Sequence, residues 1–321
     1  MKKYLILTLV FLILVTSCAV SFAKAPSETL VALAISYTGN SFMTALMDGL
    51  REKFESAGYR FEVASAEMDA LKQIQQIENF VAMGADLIIV MAVDPTALTD
   101  VCKRAMEAGV KVFAFTTDTG AYHLYSGANE RILGEAAAEM ALDWINKTFP
   151  GDEKIEVAIF EYKGTPESKE RSEGLEKIMT MSDRIKVKIV ELPEPTFLEG
   201  QSTAENILQA NPEIRAVLCY NAGIAQGVNA FVMSPAGSAL VPDKSKFGVF
   251  AVDYSQEVGE LIKASAENKS VFRGTISLGS MEYVLQKVYD LSVQLLNSDW
   301  KEPQVDYAKA WKITPEVLLN Q

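Results

Sequence analysis

The sequence predicts an α/β protein of two similar doubly wound parallel-sheet lobes joined by a hinge. Three observations carry that expectation. Apolar runs of strand length alternate with amphipathic helical stretches along nearly the whole chain, a pattern that produces parallel strands covered on both faces by helices. The series starts afresh around Arg131 and repeats the same architecture. At 321 residues the chain is also too long for one small core and accommodates two.

In the first series Thr29–Ser36 reads as a buried strand, and Ser41–Ala57 as a helix with Phe42, Leu46, Leu50 and Phe54 on one face. Gly58 ends that helix and Tyr59–Ser65 is the next strand. A helix over Leu71–Met83 and a strand over Asp86–Val93 follow. Asp94-Pro95 then opens a helix, with an N-cap aspartate and proline in its first turn. Gly109 closes it before a fourth strand, Val110–Thr116.

The second series predicts helices over Arg131–Lys147, Lys169–Met181, Gln201–Gln209, Gly223–Met233 and Gln256–Ala266. Its strands are Ile155–Phe160, Ile185–Glu191, Ala216–Tyr220 and Phe247–Val252. A strand at Val271–Ile276, a long helix at Met281–Leu296 and a tail around Tyr307–Ile313 complete the chain. No low-complexity linker intervenes, so short hinge strands join the lobes.

Composition excludes several functions. A net charge of −12 with no basic run repels phosphate backbones and anionic lipid, so no nucleic acid partner is expected. The single histidine, His123, weighs against histidine catalysis and histidine metal sites. Residues 1–23 read as a signal sequence, with Lys2-Lys3 as the positive end and Tyr4–Val15 as an apolar stretch too short to span a bilayer comfortably. Ser21-Phe22-Ala23 suits signal peptidase, whereas Val15-Thr16-Ser17-Cys18 resembles a lipobox whose Cys18 would be acylated. The first is favoured because Cys18 leaves only a short tether before the first strand. Either places the protein in the periplasm or another extracytoplasmic compartment. Cys102 and Cys219 lie inside periodic apolar segments and read as buried thiols.

No glycine-rich phosphate loop follows a strand, and no nucleophile elbow, Cys-x-x-Cys or His-Glu-x-x-His is present. Nothing selects one carboxylate pair for acid–base work, so binding is expected rather than catalysis, with no cofactor. What remains are polar residues at the ends of buried strands, where open parallel sheets take their ligands. The first group is Ser36-Tyr37-Thr38-Gly39-Asn40-Ser41-Phe42. Its hydroxyls and amide suit hydrogen bonding to a ligand, and equally suit a capped turn, while spacing alone places Phe42 in the core. The second is Thr116-Thr117-Asp118-Thr119, more polar residues than a capped turn needs. Asn221 and Asp253 each follow a strand as an N-cap, a ligand contact, or both. Arg171 is read near a helix start, where its charge opposes the dipole. A solvated arginine is the default there, and a forked donor to a ligand is the alternative.

With these positions in hand, the chain resembles the type I periplasmic sugar-binding proteins, the ribose- and galactose-binding group related to the ligand-binding core of LacI-type repressors. The resemblance runs from Thr29 to Ile313. It rests on Ser36, Asn40 and Phe42 at the first strand–helix junction, and on Arg171-Ser172-Glu173-Gly174 at a C-lobe helix. Asn221 in Cys219-Tyr220-Asn221-Ala222 and Asp253 in Phe250-Ala251-Val252-Asp253 complete it. It implies three crossings between lobes, giving an N-terminal lobe of 28–127 plus 279–306 and a C-terminal lobe of 128–278 plus 307–321. It also implies that Asn40, Arg171, Asn221 and Asp253 face a ligand in a cleft that closes by hinge motion. The expected partners are a small polar ligand, a sugar or polyol, and an ABC permease, with the protein itself a monomer. A sensing receptor, or a binder of an amino acid or nucleoside, shares the fold.

The chain departs from the group in places. Thr116 and Thr117 stand where an aspartate and a basic or small polar residue are usual, and Asp118 follows them. Leu278 beside Ser277 replaces a common glutamine, and Met43 a frequent aromatic. Phe197 is the candidate for the aromatic that precedes the second C-lobe helix. The site therefore reads as less polar than that of a pentose or hexose binder.

Overall fold

Six consecutive apolar residues can be satisfied only by burial on both faces, and strand β1 (Leu30–Ile35) is buried along its whole length. Each of its larger side chains contributes about 1.5–3 kcal/mol as an upper estimate. The computed structural model describes residues 24–38 and 41–320, without the side chains of Ser41 and Phe42. The expected export segment 1–23 with Cys18, and Asn40, lie outside the described residues.

After β1 come α1 (Ser41–Ser56), β2 (Arg60–Ser65), α2 (Ala70–Ala82), β3 (Leu87–Val90), α3 (Pro95–Glu107) and β4 (Lys111–Phe115). β1 pairs in parallel with β2 on one side and β3 on the other, and β3 pairs in parallel with β4. Asp94 caps α3 through its side chain, with Pro95 in the first turn, as the sequence leads one to expect. Gly58 and Gly109 both take φ of 87° where α1 and α3 end, a conformation that costs glycine little.

The chain continues through β5 (Leu124–Gly127), α4 (Glu130–Thr148), β6 (Ile155–Glu161), α5 (Pro166–Glu176), α6 (Ile178–Met181), β7 (Ile185–Glu191), α7 (Phe197–Ala210) and β8 (Ile214–Cys219). It then forms α8 (Ala222–Met233), α9 (Pro235–Leu240), β9 (Gly248–Val252), α10 (Gln256–Ser265), β10 (Phe272–Ser277), α11 (Met281–Leu296), β11 (Gln304–Tyr307), β12 (Trp311–Ile313) and α12 (Pro315–Leu319). The sheets have the orders β11-β5-β4-β3-β1-β2 and β12-β10-β9-β8-β6-β7. Element for element these are the same winding. β12 joins its sheet antiparallel to β10. Two compact units result: one runs to Leu124 and includes Lys287–Gln304, the other is Tyr125–Gln286 with Val305–Gln321.

Three expectations need correction. β5 was not anticipated, because Leu124–Gly127 is too short for a periodic signal even though all four residues are buried. His123 marks its start: its amide donates to the Val112 carbonyl and its Nδ1 accepts from the Val112 amide at 3.1 Å. The helix expected over Lys169–Met181 is two helices, and the first begins at Pro166 because Thr165 and Ser168 form a reciprocal capping box. The helix expected over Gln201–Gln209 begins at Phe197, capped by Thr196.

Two close helix crossings organise the second unit. A Cβ on Gly134 of α4 would lie 2.2 Å from the Arg171 carbonyl oxygen, and one on Gly174 of α5 2.3 Å from that of Arg131. Gly200 of α7 and Gly227 of α8 stand in the same relation, 2.3 Å from Ile224 O and 2.1 Å from Phe197 O. No side chain fits at these distances. Gly134→Ala must therefore push α4 and α5 apart, and we expect a loss of about 1–3 kcal/mol in urea unfolding. An unchanged midpoint would refute so close a crossing.

Cys102 and Cys219 are free and buried, as expected. Burial pushes the Cys102 thiol up to about 11 and raises that of Cys219 as well. At pH 8 about one Cys102 in a thousand is then a thiolate. A chain beginning at Lys24 should leave Ellman's reagent uncoloured until denaturant exposes both thiols.

Candidate functional site

In each sheet the winding reverses direction at one point, between β1 and β3 and between β6 and β8. Ligands of open α/β sheets bind outside the carboxyl ends of strands at such points. Backbone strain collects at the same ends. Non-glycine residues with positive φ occur after β2 (Glu67, 52°; Met68, 64°), after β4 (Thr116, 69°) and after β9 (Asp253, 79°). Asn268, past α10, is the remaining one among the described residues. Each such position costs about 1–3 kcal/mol, so each must be held in place by its surroundings.

In the first unit, Ser36 ends β1 buried, and its carbonyl accepts from the Met68 amide at 2.9 Å. Glu67 Oε1 accepts from the Ser65 hydroxyl at 2.5 Å and the Thr38 hydroxyl at 3.3 Å. These bonds tie the loop after β1 to the loop after β2. Gln73 braces the ends of β1 and β3 from beneath: its Nε2 donates to Ala34 and Met91 carbonyls and its Oε1 accepts from the Val93 amide. After β4, Asp118 Oδ1 accepts from the Gly120 amide at 2.7 Å and Thr119 is buried with its hydroxyl on Ala121 O. Asp118 and Thr119 thus shape the turn. Among the described residues, the hydroxyl of half-buried Thr117 meets that of Thr116, at 3.5 Å.

The second unit holds the denser cluster. Arg171 sits within α5, 9% exposed, so neither the solvated reading nor a place at the helix start survives. The capping box moves the start to Pro166, and the Gly134–Gly174 crossing brings α4 against the Arg171 backbone. Its Nε donates to Glu130 Oε2 at 2.6 Å. Its Nη1 donates to Asp253 Oδ2 at 3.0 Å and reaches the Tyr220 carbonyl at 3.4 Å. Its Cζ lies 4.9 Å from the centre of the Tyr220 ring, and that ring meets Tyr162 edge-on at 5.7 Å. Burial opposes the charge on Arg171, but Asp253 and Glu130 outweigh it and hold the guanidinium more firmly protonated than usual.

Asp253 is anchored on both sides of its strained φ. Its amide donates to Ile276 O at 2.9 Å and its carbonyl accepts from the Thr275 hydroxyl at 2.6 Å. Its side chain remains 53% exposed, and Oδ1 accepts no hydrogen bond among the described residues. Asn221 caps α8 through Oδ1, and its Nδ2 donates to the Pro195 carbonyl at 3.0 Å. That amide therefore fixes the loop leading into α7, whose first residue, Phe197, is 42% exposed. Ser277 Oγ accepts from the Gly279 amide, and Leu278 is partly exposed.

The structure thus brings together Arg171 and Asp253, sets Asn221 as a cap beside them in the fold, and gathers Ser36 and Thr38 with Glu67. The sequence reading missed Glu130, Tyr220 and Tyr162. Tyr220, the residue immediately before Asn221, offered a signal as an aromatic closing an apolar run. Glu130 offered none, since an acid in the first turn of a helix is ordinary.

A family model described as a periplasmic binding protein domain matches residues 31–284. The ribose import binding protein of Haemophilus influenzae is 28% identical over 263 residues, 78% of this chain and 84% of that protein. The D-apiose import binding protein of Actinobacillus succinogenes is 28% identical over 243 residues, 74% and 76% of the two chains. Among solved structures, a periplasmic ribose ABC transporter protein of Conexibacter woesei superposes with a TM-score of 0.73 at 20% identity, covering 93% of this chain and 95% of that one. A solute-binding protein of Bacillus halodurans with bound myo-inositol gives 0.66 at 21% identity, covering 93% and 98%. At these identities the superpositions speak for the fold.

The cluster predicts unequal costs for its two ends. Arg171→Met strands the Glu130 carboxylate beside a buried helix crossing, and should cost about 1–3 kcal/mol in urea unfolding. Asp253→Asn keeps an acceptor and tolerates the left-handed backbone, so it should cost no more than about 1 kcal/mol. Equal losses would mean that Arg171 is not held as described.

Proposed function

The chain belongs to the periplasmic binding protein domain family, and on that footing we propose that it is the extracytoplasmic solute receptor of an ABC-type importer, with a sugar or polyol as its ligand. It binds and releases that ligand unchanged. Export by residues 1–23, a monomeric state and delivery to a membrane permease belong to the same proposal. In the first unit the contact candidates are Ser36, Asn40, Phe42, Thr117 and Asp118; in the second they are Arg171, Phe197, Asn221 and Asp253.

One observation carries the ligand class. Arg171 Nη2 makes no hydrogen bond to a described residue. Asp253, bonded to the same guanidinium through Oδ2 and Nη1 at 3.0 Å, has its Oδ1 likewise unengaged among the described residues. One salt-bridged pair thus keeps an open donor and an open acceptor. A hydroxyl satisfies both, because it accepts and donates at once, and adjacent hydroxyls extend the match. A carboxylate only accepts and an ammonium only donates, so each leaves one group unmet. Tyr220 beneath the guanidinium and Phe197 at the head of α7 supply apolar surface of the kind sugar rings pack against.

The relatives named for ribose and D-apiose, and the neighbour holding myo-inositol, support the same chemistry. The test is a thermal-shift screen with ribose, allose, apiose, myo-inositol, amino acids and nucleosides. A ligand at a hundred times its Kd adds about 2.7 kcal/mol of stability. We expect a hit among the sugars or polyols, and its loss in Asp253→Ala. Hits confined to amino acids or nucleosides would overturn the ligand class.

A further inference from the structure

The arginine in this cluster is matched by more negative charge than it carries. Glu130 holds Nε and Asp253 holds Nη1. The neighbouring bases are treated alike. Arg131 pairs with Glu170 and Glu173, and Lys163 with Glu161 and Glu176. Even with Lys169, which shares Glu173 at 3.8 Å, four bases face six carboxylates. A guanidinium in such surroundings offers hydrogen-bond donors without an attractive field. Arg171 with Asp253 alone would be a neutral pair, and Glu130 tips it negative.

Position makes Glu130 the decisive member. Asp253 is half-exposed, and its Oδ1 accepts no hydrogen bond among the described residues. Glu130 is less exposed, at 21%, and its one described hydrogen bond is spent on Arg171 Nε at 2.6 Å. It touches the arginine at Nε and leaves Arg171 Nη2 and Asp253 Oδ1 to a ligand. It occupies the first residue of α4, where the helix dipole favours its ionised form, and the Gly134–Gly174 crossing sets its reach to Arg171.

We propose that Glu130 is a specificity-determining residue: by neutralising Arg171 from behind, it makes this subsite accept hydroxyls and refuse carboxylates and phosphates. The inference rests on the sugar-or-polyol reading and deepens it. One unit charge a few ångströms away, in a partly buried setting, shifts the affinity of an anion on the order of tenfold to a hundredfold. A neutral ligand feels little of that field.

The experiment uses matched pairs: D-galactose with D-galacturonate, D-ribose with D-ribose 5-phosphate, and myo-inositol with myo-inositol 1-phosphate. Affinities are measured by calorimetry at low ionic strength on the wild type, Glu130→Gln and Glu130→Asp. In the wild type the anionic member of the responding pair should bind at least tenfold more weakly than the neutral one. Glu130→Gln keeps size and an acceptor but removes the charge, so it should cut that ratio about tenfold. Glu130→Asp keeps the charge and should keep the ratio. A residue that served only to hold the fold would, when changed, weaken both members equally, and that result would overturn the proposal. So would an anion that binds the wild type as tightly as its neutral partner, a measurement needing no variant to fold. Silence across every pair would instead overturn the sugar reading, and the inference with it.

Discussion

Where α4 crosses α5, a Cβ on Gly134 would sit 2.2 Å from the carbonyl oxygen of Arg171, and most of the site follows from that spacing. Two helices that approach this closely bring the first turn of α4 against the middle of α5. The short distance lets Glu130 reach Arg171 Nε at 2.6 Å, and it lets Arg131 bridge to Glu170 and Glu173 on α5. A wider crossing would leave Arg171 free to sample rotamers in solvent, and its side chain carries about 2 kcal/mol of rotamer entropy to lose. The glycine of the Arg171-Ser172-Glu173-Gly174 sequence is thus a packing requirement that acts through geometry on the arginine three residues before it. The α7–α8 crossing at Gly200 and Gly227 does the same for its own neighbourhood, seating Phe197 at the head of α7 near the Pro195 carbonyl that Asn221 holds.

Strained backbone at the strand ends is the second constraint, and after β2 and β9 it is held by bonds from neighbouring residues of the sheet and its loops. Asp253 at φ 79° is gripped from β10 through both amide and carbonyl. Met68 at φ 64° donates its amide to Ser36, and the Glu67 carboxylate collects hydroxyls from Ser65 and Thr38. In both units the loops are positioned by strands that belong to the rigid sheet, which is how a loop can hold a polar group within a few tenths of an ångström of where a ligand needs it. The strain is tolerable because the central strands beneath it are largely apolar and buried.

Local chemistry was legible in the sequence; long-range chemistry was not. The alternation of strand and helix, the Asp94-Pro95 start and the burial of both cysteines rest on neighbours in the chain, and each is found in the structure. Asp253 and Asn221 could be picked out because a polar residue after a buried strand has few ordinary reasons to be there. The start of α5 was misplaced although Thr165-Pro166 carried the same signal as Asp94-Pro95, because the first turn of α5 exposes Glu167 and Lys169 and shows no apolar stripe. Glu130 was invisible for a different reason. Its partner lies 41 residues away, and only the helix crossing makes them neighbours. The burial of Arg171 was hidden likewise, since nothing in the spacing of α5 says which face another helix will cover.

The second unit contains another buried arginine, and the contrast between the two explains what Arg171 is suited for. Arg273 in β10 is 8% exposed. It spends its donors on the carbonyl oxygens of Phe247, Ser265 and Lys244 and on the side chain of Asn268. Neutral acceptors do not offset the cost of removing a cation from water, and burial pulls the Arg273 guanidinium below its ordinary range. That arrangement stitches β9, α10 and β10 together and commits four of the five guanidinium donors to the fold. Arg171, buried to a similar degree, keeps its charge secure with two carboxylates and needs only part of its donor set to do so. Its Nη2, held in place by the bonds of Nε and Nη1, makes no hydrogen bond to a described residue. A cation satisfied by carbonyls becomes part of the fold, whereas one satisfied by carboxylates can be fixed in place and still have hydrogen bonds to give.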